Sequence, residues 1–424
     1  MQTSLVTNVS NSPEVFVEPS RHNHPTNAYK EIRDATLSTI RKVIQKDPTK
    51  GLNATYKSVV ATNVTVSNIT DETRSLVPDY DSLRTVLQRE RAATMPKLPK
   101  TTADIILEGE WAQTLDGDTF VLPNINNDML IFTTNSNLQF LSRCSTIYVD
   151  GTFKARPTLF AQLYSIHGLF GGFVVPVVYA LLPDKSSTTY YVMFGRIRDA
   201  MSRLKYVFNP ASIMSDFEAS LIEAVQLQFP NARHLGCHFH FGQALWRKIQ
   251  EVGLAVNYRE VDDIRSFVQH CNALAFIPSI EVVTKFEEAV GSLSPENRTQ
   301  LAEFIEYFRA TWLDGLFPIN MWNKYGCDIR HRTNNAMEGW HSSLRRLLPT
   351  HPNIFVFIGA IKQIQVGAQV TMAKALAGQS PPKSKLKYRK LDEKVLKAHN
   401  RHENGDIDTD QLLRTVKHCF NATK

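Results

Sequence analysis

The sequence predicts an α/β core interrupted by a long helical block, on three observations. Short β-rich runs at Thr146–Asp150 and Ala211–Met214 alternate with segments of helical spacing. The stretch from Pro157 to Pro183 holds no Asp, Glu, Lys or Arg and is broken at Gly171-Gly172. That pattern reads as two buried strands, Leu159–His167 and Phe173–Leu182, joined by a tight turn, rather than as a membrane span. From Phe241 to about residue 315 the apolar residues keep a helical rhythm, with Leu274, Phe276, Val282, Val283, Phe286, Leu301, Phe304, Ile305 and Phe308 as markers. Three strands, a helix, a strand, a helix, a strand and a helical block then make an α/β sheet with a helical insertion.

The elements follow in order. Residues 1–27 are polar and without periodicity, so a disordered start is expected. Residues 28–100 carry helical spacing (Ile32, Leu37, Ile40, Val43, Ile44; then Leu83, Val86, Leu87) and close at Pro96 and Pro99. The core runs over 101–250 and opens with a lead-in strand pair and a short helix between Ile105 and Phe140. Tyr190, Met193, Phe194, Ile197, Met201 and Leu204 mark a helix. Ser215-Asp216 leads into another near Glu218, and a strand near His234–Cys237 precedes helix Phe241–Glu251. Residues 251–330 form the helical insertion. Residues 331–378 hold two closing helices, about Asn335–Leu347 and Asn353–Leu376, and 379–424 is a basic tail.

The chain has 424 residues, 43% of them apolar, which excludes wholesale disorder. Its net charge is +7, and twelve Lys or Arg against six Asp or Glu place +6 of it within 372–424. In that segment, Pro381 to Lys390 joins prolines to a charge run. It reads as a solvated linker or as a nuclear-import or phosphate-contacting segment. Five scattered cysteines argue against a disulfide framework and for a reducing compartment. The first residues lack a basic start followed by an apolar run, so no secretory signal is expected.

Two carboxylates stand at predicted strand ends, Asp150 and Asp216, where α/β sheets usually place ligands. Glu338, on a predicted helix with Asn334 and His341 on the same face, is the best third member. Three carboxylates can hold a pair of divalent cations for phosphoryl transfer. Each also has a plain structural reading: Asp150-Gly151 as a turn, Asp216 as a helix cap, Glu338 as a solvated charge. Cys237 and His240 have the spacing of half a zinc site. A buried thiol with a hydrogen-bonded histidine is the plainer reading of the pair.

Three stretches go further than spacing. VDGTFKARPTLFAQLYSIHGLFGGFVVPVVYALLPDK, SIMSDFEASLIEAVQLQFPNARHLGCHFHFGQALWRKIQ and RTNNAMEGWHSSLRR resemble, in family order, a Mutator-like element (MULE) transposase. The likeness is to the animal lineage whose members often carry an N-terminal FLYWCH-type zinc finger. His22 and His24 resemble the closing half of such a finger, and the half that should precede them is absent, so the finger reads as truncated. The resemblance implies a ribonuclease-H-like (DDE transposase/integrase) core with an all-helical insertion. It implies that Asp150, Asp216 and Glu338 are catalytic and hold Mg²⁺ or Mn²⁺. It puts the family's Cys-x-x-His element on Cys237 and His240, ordering the site or touching DNA.

The expected activity is metal-dependent DNA cleavage and strand transfer, with Lys154, Asn334 and His341 as supporting or phosphate-contacting residues. DNA, a homodimer or larger assembly, and the nucleus follow as expected partners and location, with no membrane. One rival is a catalytically silent, host-retained derivative that binds DNA or protein. The other is a zinc-stabilised structural module.

Overall fold

The computed structural model describes residues 27–66, 70–123, 128–333 and 335–419. The expected disordered start, with His22 and His24, lies outside the described residues but for Asn27, as does Asn334.

The chain divides into two compact units at Pro96. In the first, α1 (Ala28–Lys46), α2 (Leu52–Val66), α3 (Asp71–Ser75) and α4 (Tyr80–Thr94) enclose Leu37, Ile40, Ile44, Leu52, Val59, Leu83 and Leu87. Asn27 starts α1 by accepting the Lys30 N–H, and the apolar rhythm of α1 and α4 supplies the buried side of both.

The second unit is built on a six-stranded sheet: β1 (Leu130–Phe132), β2 (Thr146–Thr152), β3 (Gln162–Phe170), β4 (Phe173–Leu182), β5 (Ser212–Ser215) and β6 (Arg233–Gly236). Across the sheet the order is β1-β4-β3-β2-β5-β6. The β1, β4, β3 and β2 contacts are antiparallel, while β2, β5 and β6 run parallel. The charge-free stretch is the β3–β4 hairpin, turning at Gly171 and Gly172 with φ of +58° and +80°. β3 begins at Gln162 rather than Leu159, because Pro157 to Phe160 closes a turn first. Pro176 cannot donate to a ladder. It sits opposite His167 where the register slips between Ile166 and His167, a place that tolerates the missing N–H.

α5 (Asn135–Leu141) and α6 (Ser187–Arg203) follow β1 and β4, and α7 (Ala219–Gln228) and α8 (His238–Glu251) follow β5 and β6. Ile147, Val149 and Ile213 of the sheet share one core with Tyr190, Phe194, Ile197, Leu221 and Val225. The helical block comprises α9 (Ala255–Glu260), α10 (Asp262–Ala273), α11 (Val282–Ser292), α12 (Pro295–Gln300), α13 (Ala302–Phe308) and α14 (Ile319–Trp322). α15 (Asn335–Leu347) then lies on β2. α16 (Ile354–Leu376) is apolar and long enough to cross a membrane but packs on β4, with 61% of its most apolar window buried inside the protein.

The basic segment differs from the expected tail. It folds as α17 (Leu386–Glu403) and α18 (Thr409–Lys417), whose Val395, Ala398, Leu412, Leu413 and Val416 complete the core of the helical block. The lysines and arginines occupy the outer sides of these helices, so their number hid an apolar row of helical period. The Arg332 guanidinium, buried, bonds Asp392 of α17, and His399 Nε2 sits 3.0 Å from the Phe276 carbonyl.

Candidate carboxylate site

β2 carries Asp150 near its end, and its side chain lies on the same face as Tyr148, which packs with Met214, Leu235 and Met337 of α15. Gly151 follows because the neighbouring strand closes in: a Cβ there would stand 2.7 Å from Gln162 Oε1 and 3.2 Å from Tyr164 Cδ2. The Gly151 N–H donates to Asp150 Oδ1 at 2.9 Å and fixes the carboxylate.

β5 ends at Ser215, and Asp216 follows directly. Asp216 does not cap α7. That position belongs to Glu218, and the Glu218 N–H donates to the Asp216 carboxylate. Phe217 between them crosses to Trp312 and Phe317, with ring centroids 4.8 and 5.1 Å away. It passes over Gly236, where any Cβ would meet its ring at 2.3 Å. Anchoring Phe217 in the helical core leaves Asp216 and Glu218 together on the other side. Behind Asp216, the Ser215 hydroxyl donates to the Asp216 carbonyl at 2.6 Å, so His234 Nε2, 2.7 Å from Ser215 Oγ, must donate to that oxygen.

α15 brings Glu338 and, one turn on, His341. His341 Nδ1 stands 3.6 Å from Asp150 Oδ2. Burial and Arg345 lower the imidazole to about 4, so it is neutral at pH 7. The contact is therefore a dipole against a carboxyl group rather than an ion pair, and it is too long for a hydrogen bond.

Asp150 lies within electrostatic reach of Asp216, Glu338 and Glu218. Asp150 is pushed up to about 8, first by burial and then by Asp216, opposed by the Gly151 N–H, with Glu338 and Glu218 adding to the rise. Asp216, Glu218 and Glu338 are all raised, burial leading in each. Lys185 supplies one positive charge, 3.9 Å from Glu218. Tyr164, fully buried, feels Asp216, Asp150 and Glu218, and its hydroxyl has no hydrogen-bond partner among the described residues. Across 66 and 122 residues of chain, Asp216 and Glu338 thus both come near enough to Asp150 for their charges to act on it. The three do not close around a single point: among the described residues, no three His, Cys, Asp or Glu side chains stand where they could hold a metal ion as they are.

The other expected residues are distributed differently. Lys154 is exposed just past β2, and its carbonyl accepts the His351 N–H. Cys237, buried, precedes α8 and donates its N–H to the Ser215 carbonyl, while His240 lies half-buried in the first turn of α8. Burial and Arg247 lower His240 to about 4. Three participants lie outside the set the sequence points to. Glu218 was legible, two residues after Asp216 where a period-2 pattern puts both side chains on one side. Tyr190, whose hydroxyl donates to Glu218 at 2.9 Å, and Lys185 come from distant sequence with no local signal.

Asp150 and Asp216 stand at the ends of the adjacent parallel strands β2 and β5, the edge where α/β sheets usually place ligands. A family model described as the MULE transposase domain matches residues 146–244. The match runs from β2 into α8 and takes in Asp150, Asp216, Cys237 and His240, while Glu338 lies beyond it. No curated protein matches the chain.

Proposed function

We propose that this protein is a MULE-type DDE transposase whose ribonuclease-H-like core cuts and joins DNA through Asp150, Asp216 and Glu338. The observation that carries the reading is the approach of Asp216 and Glu338, far apart in sequence, to a partly buried Asp150, with both aspartates inside the transposase-domain match. The donor set suits a hard divalent cation. All the gathered ligands are carboxylate oxygens, all raised by burial and Asp150 also by its acidic neighbours, and the Tyr164 hydroxyl lacks a partner among the described residues. Asp150, Asp216 and Glu338 would hold Mg²⁺ or Mn²⁺, which when bound lowers the pKa of water and offsets charge on a phosphodiester.

The chain's own residues prepare that chemistry. Gly151 N–H and Glu218 N–H orient the two aspartates, and His341 packs against Asp150 as a neutral dipole. Lys185 adds positive charge beside Asp216 for a phosphate. Lys154, Arg345 and Arg346 expose further cations on the segments that carry Asp150 and Glu338, suited to a DNA backbone. DNA as substrate implies the nucleus, and processing two element ends implies a homodimer or larger assembly. Cys237 and His240 order the start of α8 beside the β5 end.

The test is nicking of supercoiled DNA with Mg²⁺ or Mn²⁺ by the purified protein. Activity lost in Asp150→Asn is the expected result. Equal inactivity of the wild type and the variant, with DNA binding retained, replaces this reading with a binding protein that does not cut.

A further inference from the structure

Beside the carboxylate pocket, Phe153 exposes 44% of its surface on the segment just after β2. A lone exposed phenylalanine carries little meaning, but this one is held and accompanied. Ala155 beyond it is buried, and the Lys154 carbonyl accepts the His351 N–H at 3.2 Å, so the ring sits on anchored backbone. Lys185 Nζ stands 4.1 Å from the ring centroid and 3.9 Å from Glu218 Oε2. Glu218 is held in turn by the Tyr190 hydroxyl, which accepts from Gln162 Nε2 at 2.8 Å. One ammonium thus bridges an exposed aromatic face and the acidic pocket, and it is itself 45% exposed.

We propose that Phe153 and Lys185 form a seat for one unpaired nucleotide of a DNA strand, the ring stacking the base and the ammonium taking its phosphate. The inference rests on the transposase reading and names the state of the DNA beside the cut: a base out of its pair. Stacking on an aromatic ring is indifferent to base identity, because every base has a π face, and it requires that the base be free. The Lys185 contact is salt-sensitive and sequence-independent. Glu218 holds the ammonium over the ring until a phosphate takes it.

The experiment compares a blunt duplex with the same duplex carrying a short single-stranded extension, both fluorescently labelled, by anisotropy with Ca²⁺ in place of Mg²⁺. Wild type binds the extended probe about tenfold tighter. Phe153→Ala abolishes that preference and leaves blunt-duplex binding unchanged, and Phe153→Trp keeps it. Lys185→Ala makes binding of the extended probe less steeply dependent on salt. A Phe153→Ala protein that still prefers the extended probe overturns the seat, as does a wild type that binds both probes equally. Wild type that binds neither probe overturns the transposase reading itself.

Discussion

The carboxylate site and the aromatic interior of the helical block differ in depth, the Trp322 ring fully enclosed and the Asp150 side chain 11% exposed, and they are held together in opposite ways. Around Trp322, burial is complementary: its ring stacks on Phe241 at 4.9 Å and 8°, its Nε1 donates to the Trp312 carbonyl, and Asn323 donates to the carbonyls of Leu274 and Ile277. Around Asp150, like charges are brought together in a low-dielectric place, with Lys185 beside Glu218 as a partial offset. A polar group buried without compensation costs stability. The first region is arranged for stability, whereas the second holds electrostatic stress that a cation can relieve.

The largest expected effect tests the stable side. Trp322→Ala empties the centre of the aromatic stack and lowers unfolding stability by roughly 4 kcal/mol, read by denaturant titration. A loss below about 1 kcal/mol would show that the helical block does not depend on this core. Next, Asp392→Ala removes the carboxylate from Arg332, a guanidinium 8% exposed. Leaving that charge buried costs about 3 kcal/mol, and with it the hold of α17 on the segment leading into α15. Unchanged stability would return 386–417 to the status of a loose appendage.

The pocket answers differently. Glu338→Gln lowers metal-dependent nicking by about a hundredfold or more while its melting temperature holds or rises, because a half-buried like charge near Asp150 is gone. Should the variant instead melt as early as Trp322→Ala, the pocket would be a structural element and the comparison would collapse.

The smallest effect is on pH dependence. Asp150 is raised to about 8 when folded and titrates near its ordinary value of 3.8 when unfolded. Its contribution is fully present below about pH 4 and is lost as pH rises toward 8, above which the curve flattens. The raised Asp216, Glu218 and Glu338 act in the same direction. In chelator, the melting temperature therefore falls by roughly 5 °C between pH 5 and pH 8. Mg²⁺ restores much of it at pH 8, and Asp150→Asn shallows the slope. A slope unchanged in that variant would mean the raised carboxyl lies elsewhere.

Much of the frame was legible because it is local. The period-2 and i, i+3, i+4 patterns marked β2 to β6 and α6, and the Gly171-Gly172 pair marked the hairpin. Edges were less so: α8 starts at His238 rather than Phe241, since Cys237 takes the position before the helix. The basic segment misled because net charge counts residues and ignores which side of a helix they occupy. Glu218 was within reach of a local pattern, two residues after Asp216, whereas Lys185 stands 33 positions before its partner.

The residue types and periods of this chain were enough to specify an α/β sheet, a helical block and three acidic candidates. Those features depend on neighbours a few positions apart, where backbone geometry dictates which side chains share a side. What only the tertiary structure decided was that Asp216, Glu338 and Glu218 come within electrostatic reach of Asp150, and that the charged C-terminal helices close a core. Such meetings are set by long-range packing, through the crossing of Phe217 over Gly236 and the seating of α15 on β2, which no local pattern records.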